Sequence, residues 1–228
     1  GGFLALDQVD LSVSAGERVG LIGPNGSGKS TLVNCIAGTL RQGSGSIRFD
    51  GRDVGALAPH RRIRLGIARS FQIPRPFASM TALENLLVPL SYAGGDGADR
   101  SRAALTGEAT AILRQVGLAA KADRRSAELT QVDMRKLELA RAIASRPKLL
   151  ISDEAMAGLS SAEIDEIIAI LLEMKGRGIA VVMIEHIMRA VMRFSERIAV
   201  LVAGRKIADG APEAVLHNPE VERAYLGQ

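Results

Sequence analysis

The sequence predicts an α/β protein built on a mostly parallel sheet, and three observations carry that prediction. Apolar runs of strand length alternate with amphipathic helical patterns, one glycine-rich segment sits where a strand hands over to a helix, and a long central block holds helical patterns alone. With 228 residues, 47% of them hydrophobic, the chain has the material for a proper core.

Taken in order, the strand-like runs are ERVGLIG (17–23), GSIRFDG (45–51), IARSFQ (67–72), KLLISD (148–153), IAVVMIE (179–185) and RIAVLVA (197–203). Helical patterns separate several of them: Ile164, Ile167, Ile168, Leu171 and Met174 share one face at helical spacing. Strands alternating with helices imply parallel pairing with both sheet faces covered. Over 73–147 the strand signal vanishes and MTALENLLVPL, AALTGEATAILRQVG and MRKLELARAIAS follow one another, which reads as a helical subdomain inserted between two core strands. The expected organisation is one domain over 1–228, with a core of 1–72 and 148–228 and a helical subdomain of 73–147. GGDGADRSR (94–102) reads as an exposed loop without chemistry.

Composition narrows the function. The 29 Lys+Arg and 25 Asp+Glu leave a net charge of +4, scattered rather than gathered into a stripe, and only 3% of residues are aromatic, so a nucleic-acid groove is not expected. The single cysteine, Cys35, excludes an internal disulfide, fits a reducing compartment and reads as core packing. No apolar run approaches the ~20 residues needed to cross a bilayer, and the charged-then-apolar layout of a signal peptide is missing, so any membrane role is expected to run through a partner. The chain opens GGFLAL with no initiator methionine, as a fragment or a trimmed product would.

The chemistry begins at GPNGSGKST. Gly23, Pro24, Asn25, Gly26, Ser27, Gly28, Lys29, Ser30 and Thr31 contain the pattern G-x-x-x-x-G-K-S with a strand entering and a helix leaving. Glycines let successive backbone N–H groups converge on phosphate oxygens, and the helix N-terminus adds roughly half a positive charge. Lys29 is expected to bridge the β- and γ-phosphates of ATP, and Ser30 to offer its hydroxyl to Mg²⁺. LLISDE (149–154) then supplies what hydrolysis needs beyond binding: Asp153 as a second Mg²⁺ ligand, and Glu154 to orient or deprotonate water. Gln72 closes IARSFQ where the helical block begins, so its amide can touch Mg²⁺ or the attacking water. His186 closes VVMIEH, where an imidazole can bond the γ-phosphate.

With GPNGSGKST, FQ, LISDE and IEH in that order, the chain resembles the ATP-binding-cassette (ABC) ATPases over essentially its whole length. RSFQIPRPFASMTALENLLV, LELARAIASRPKLLISDEAMAGLS and the stretch from IEHIMRAV to AYLG resemble, more narrowly, the ATPase subunits of branched-chain and hydrophobic amino-acid importers, down to a β-hairpin and the NPEVERAYLG tail. The resemblance implies a P-loop NTPase core with a mostly parallel sheet, an N-terminal antiparallel β portion and the inserted helical subdomain. It makes Gly23 to Thr31 the Walker A loop, Gln72 the Q-loop residue, Asp153 and Glu154 the Walker B pair, and His186 the switch histidine. It further implies a second ATPase subunit sandwiching two ATP molecules, transmembrane permease subunits beneath which the chain works, a substrate-binding protein acting indirectly, and a peripheral location on the cytoplasmic face of the cell membrane.

The chain departs from the family pattern in several places. Leu129, Thr130, Gln131, Val132 and Asp133 stand where the signature usually reads LSGGQ, and Thr130 keeps the hydroxyl that would reach ATP on the opposite subunit. Val132 is expected to resist the positive φ and close approach that glycine permits, and Asp133 to bring negative charge toward the triphosphate. Phe3 is a poor substitute for the adenine-stacking aromatic, Ser160 stands at the D-loop aspartate, and Ala155 replaces the proline after the glutamate. Besides an ATP-hydrolysing importer subunit, two readings stay open on the sequence: a catalytically weak or regulatory partner in a heteromeric complex, and a soluble cassette ATPase acting on DNA or ribosomes.

Overall fold

The structure is a computed structural model and describes residues 4–71, 73–92 and 101–226. The first strand, β1 (Arg18–Ile22), leads through the phosphate loop into α1 (Lys29–Ala37). A small hairpin follows, β2 (Arg48–Phe49) and β3 (Arg52–Asp53), and then α2 (Pro59–Leu65) and β4 (Ile67–Ser70). Three helices come next, α3 (Ala82–Tyr92), α4 (Arg102–Gln115) and α5 (Gln131–Ala144). The chain returns to the sheet with β5 (Leu149–Asp153), α6 (Ser161–Gly176), β6 (Ala180–Ile184), α7 (Met188–Phe194) and β7 (Arg197–Val202). It finishes with β8 (Arg205–Gly210), α8 (Pro212–Leu216) and α9 (Pro219–Leu226).

Six strands form one sheet in the order β4-β5-β6-β1-β7-β8, parallel except for the antiparallel β7–β8 pair. β5 and β6 sit inside it and read as continuous apolar runs because both faces are covered. On one face Val19, Leu21, Ile151, Val182 and Ile184 pack with Val33 of α1. On the other, Leu150, Val181 and Met183 share a single apolar cluster with Ile168 and Leu171 of α6, Leu86 of α3, Leu113 of α4 and Leu137 of α5. The helical insertion is thus welded to the sheet by a common core. A third cluster, Ile22, Ile198 and Val200 with Val191, Val215 and Val221, seats the last three helices.

Two hairpins show how turn chemistry trims the expected strands. Where 45–51 reads as one run, only Arg48–Phe49 is strand, because Asp50 (φ 48°) and Gly51 (φ 73°) form a left-handed two-residue turn into Arg52–Asp53. This antiparallel pair stands apart from the main sheet. The hairpin implied by the family resemblance is β7–β8, turned by Ala203 (φ 47°) and Gly204 (φ 79°).

Candidate active site

The functional side chains collect at the carboxyl ends of β1, β5 and β6, which lie side by side in the sheet, the usual location for ligand chemistry in open α/β sheets. β1 ends at Ile22, and the loop 23–28 wraps back to start α1. Gly23 (φ 150°) is irreplaceable on space as well as conformation, since a Cβ there would lie 2.0 Å from the carbonyl oxygen of Leu201. Gly28 (φ 104°) is the N-cap of α1, and α1 carries no acidic residue in its first turn, so nothing on the helix itself opposes an anion at its N-terminus. Pro24, Asn25 and Gly26 form the outer rim of the loop, and Ser30 and Thr31 open the helix beside it.

Lys29 is the first helical residue and is buried. Its Nζ donates to the carbonyl oxygens of Gly23 (2.7 Å) and Pro24 (2.9 Å) and approaches Ser27 Oγ at 3.4 Å. Burial pulls this ammonium below the usual lysine range, against the opposing charges of Glu154 and Asp153. That electrostatic coupling joins the tip of β5 to the phosphate loop.

Asp153 ends β5, and its Oδ2 accepts a bond from Arg69 of β4 at 2.5 Å. The next residue leaves the strand sharply: Glu154 has φ 46°, a left-handed conformation costing of order 1 kcal/mol for a residue with a side chain. Its N–H bonds the carbonyl of Ile184 at 2.9 Å, tying the ends of β5 and β6 together. That turn places Glu154 Oε1 3.1 Å from His186 Nε2. The two residues that sequence reading put at separate strand ends are therefore in contact, and strain of this kind persists where the surroundings over-determine it.

Other positions fall differently. Gln72 lies outside the described residues, as does Phe3. Thr130 is the N-cap of α5, and its hydroxyl donates to Asp133 Oδ2 at 2.7 Å in a capping box. Its bonds are local, so within one chain it does not join the loop at 23–31. The expectation for the next residues needs correction. Val132 lies in the first turn of α5 with helical backbone, so no positive φ is demanded of it. Asp133 points inward and pairs with Lys121 Nζ at 2.5 Å. Burial pushes its carboxyl up, but the bonds from Lys121 and Thr130 outweigh that and hold it below the usual carboxylate range. Ser160 caps α6 with Glu163 in the same way.

Three residues escaped the sequence reading. Arg69 and Asn34, joined at 2.7 Å, connect Asp153 to α1. Glu185 is buried behind His186, where its Oε1 accepts the N–H of Met156 at 2.9 Å. Burial pushes this carboxyl up to about 7, with the Glu154 charge adding to the effect and the N–H groups of Met156 and His186 and the Arg135 charge opposing it. A glutamate preceding a strand-end histidine in IEH was the one available signal.

A strand–loop–helix phosphate cradle, a strand-end carboxylate pair and a histidine across from them define a nucleotide-hydrolysing cassette. The chain belongs to the ABC transporter family: the model of that description matches residues 6–157, and one described as branched-chain amino acid ATP-binding cassette transporter matches residues 205–228. It is an ATPase of that family. It is similar to the high-affinity branched-chain amino acid transport ATP-binding protein BraF of Pseudomonas aeruginosa, 38% identical over all of this chain and 94% of the relative. The protein of the corresponding name, LivG, from Escherichia coli is 36% identical over the same shares. Among solved structures, an ATP-binding cassette of an ABC transporter in its ADP conformation superposes with a TM-score of 0.87 at 34% identity, covering 98% of this chain and 93% of that one. A dimeric cassette in a post-hydrolysis state with ADP and Pi gives 0.82 at 26% identity over 91% and 90%. No helix among the described residues is long and apolar enough to cross a membrane.

Proposed function

We propose that this chain is the ATP-hydrolysing subunit that powers import of branched-chain or related amino acids through a membrane permease. The observation that carries it is the Glu154–His186 contact beside the phosphate loop. In this reading Gly23 to Thr31 cradle the triphosphate, with Lys29 leaving the loop carbonyls for the β- and γ-phosphates. Glu154 orients and deprotonates the attacking water, His186 holds Glu154 in place and reaches the γ-phosphate, and Gln72 senses the γ-phosphate at the edge of the helical subdomain (73–147) that divides the core 1–72 and 148–228.

Mg²⁺ fits the donors present. Ser30 and Asp153 would offer it hard oxygen donors, a hydroxyl and a carboxylate. Mg²⁺ takes few protein oxygens and its remaining ligands from phosphate and water. When bound it would neutralise charge on the β- and γ-oxygens.

The same reading pairs the chain with a second cassette subunit, whose ATP would meet Thr130, and with permease subunits at the cytoplasmic face of the membrane. A groove of about 490 Å³ between α2, β4 and the helices α3 and α5 is the proposed permease seat; Ile63, Phe71, Val88, Tyr92 and Arg141 line it. Phe71 and Tyr92 are among the exposed large apolar residues, as are the adjacent Ile73 and Phe77. The regulatory alternative came from the altered signature at 129–133; within this chain Val132 needs no positive φ and Asp133 is paired with Lys121, which weakens that alternative. The test is purification of the complete complex, identification of its chains, and ATP-dependent uptake of labelled leucine into vesicles. Uptake abolished by Glu154→Gln supports the proposal; a purified complex whose ATP hydrolysis drives no amino-acid uptake refutes it.

A further inference from the structure

We propose that Arg69 is a resident cation that competes with Mg²⁺ for Asp153 and so sets how strongly nucleotide binding depends on the metal. This rests on the reading of Asp153 as a Mg²⁺ ligand.

Arg69 lies on β4, hydrogen-bonded alongside β5, and its guanidinium is held from three directions. One nitrogen donates to Asp153 Oδ2 at 2.5 Å and the other to Asn34 Oδ1 at 2.7 Å. The plane lies over the Phe71 ring, 5.5 Å from its centroid. Asn34 is fixed in turn by the Thr39 hydroxyl at 3.2 Å. The side chains of Arg69 and Asp153 are only 14% and 12% exposed, so each charge has lost most of its water. Among the described residues Arg69 is the ion-pair partner of Asp153, while Lys29 spends its donors on the loop.

A carboxylate this buried requires a compensating charge, and removing its partner leaves it uncompensated at considerable cost. In this protein an arginine supplies that charge at Asp153 Oδ2, on the same carboxylate that would hold the dication. Mg²⁺ therefore gains less from Asp153 than it would from an unpaired carboxylate, and it arrives beside a poorly screened guanidinium. The benefit is a site held in shape without metal. Because Arg69 and Phe71 also line the groove proposed as the permease seat, whatever fills that groove touches the cation that controls the metal ligand.

The experiment measures ADP affinity by calorimetry with saturating Mg²⁺ and with excess chelator, and takes the ratio of the affinity with the metal to that without it. Arg69→Gln should raise that ratio by about tenfold or more, since a buried carboxylate then relies on the metal alone. An unchanged or smaller ratio overturns the proposal. Asp153→Asn separates the two claims. If it leaves the ratio at the wild-type value, Asp153 is not a metal ligand and the underlying reading fails. If it collapses the ratio while Arg69→Gln leaves it unchanged, only the competition fails. Should Arg69→Gln not fold, Asn34→Ala, which removes the second anchor of the guanidinium, is expected to raise the ratio in the same sense, and no change there is equally decisive against competition.

Discussion

Lys29 closes the phosphate loop on itself through two carbonyl oxygens, 2.7 and 2.9 Å away, and must exchange them for phosphate oxygens when nucleotide binds. Each charge-assisted bond of this kind contributes about 1.5–3 kcal/mol. Lys29→Ala is accordingly expected to reduce ATP affinity at least a hundredfold by calorimetry, and unchanged affinity would remove Lys29 from the site. Glu185 makes a pH prediction. Its carboxyl is held at about 7 against an ordinary 4.5, so between those values the unfolded chain releases a proton that the folded chain keeps. Its contribution is fully present below pH 4.5 and is lost as pH rises through about 7, to a limit of about 3 kcal/mol. Urea unfolding should show that fall in the wild type and a flatter profile for Glu185→Gln; parallel profiles would mean that Glu185 is ionised throughout. At this scale motif spacing marked the phosphate loop and the strand ends as candidates, and the structure brings two of them, Glu154 and His186, into contact. Arg69 and Glu185 were not marked, because a polar residue within or just after an apolar strand run carries no periodicity to show what it faces.

At the scale of elements, α1 is secured at its C-terminal end by a buried arginine from α2. Arg62 donates to the carbonyls of Cys35 (2.5 Å), Ile36 (2.8 Å), Gly55 (3.0 Å) and Leu57 (3.0 Å). It adds donors to the last carbonyls of α1 and to the loop before α2, tying the two together. Arg62→Met, which keeps most of the volume and none of the donors, is expected to cost about 3 kcal/mol in urea unfolding; a loss under about 1 kcal/mol would mean that water replaces it. The start of α5 carries the correction to the signature segment. Thr130, Asp133 and Lys121 form a closed local network, so Thr130→Ala should cost about 1 kcal/mol of stability, and Val132→Gly should not tighten dimer closure, measured by light scattering with Mg-ATP. Tighter closure in Val132→Gly would restore the view that Val132 obstructs. The positive φ expected at Val132 came from likeness to a glycine-bearing pattern, whereas the T-x-x-D spacing encodes a helix cap at Thr130 that gives the following residues helical backbone.

For the whole molecule, the alternation of strand and helix patterns made the parallel sheet readable, and the loss of strand signal after the IARSFQ run anticipated the helices α3 to α5 between β4 and β5. The shared apolar core of insertion and sheet was not readable, since periodicity tells which face of a helix is apolar and not which element it meets. That core ties the insertion to the sheet on the side that carries α6. The loop before α3 is braced by Asn85, whose side chain bonds both the N–H (2.8 Å) and the carbonyl (3.2 Å) of Phe77, while the Phe77 ring lies 5.2 Å from the Arg141 guanidinium. Phe77→Asp is expected to prevent assembly with permease subunits on gel filtration while ATP affinity stays within about twofold. An intact complex would place the permease elsewhere.

Glu154 is set by its left-handed turn against His186 at the edge of the phosphate loop, where the attacking water must be activated. The most direct measurement is single-turnover hydrolysis of Mg-ATP by Glu154→Gln in parallel with its ATP affinity. The amide keeps shape and size but cannot accept a proton from water. Affinity within about twofold of wild type, with hydrolysis slowed by about a hundredfold or more, is the predicted result. Hydrolysis at the wild-type rate with unchanged binding would contradict it and put the base on another residue.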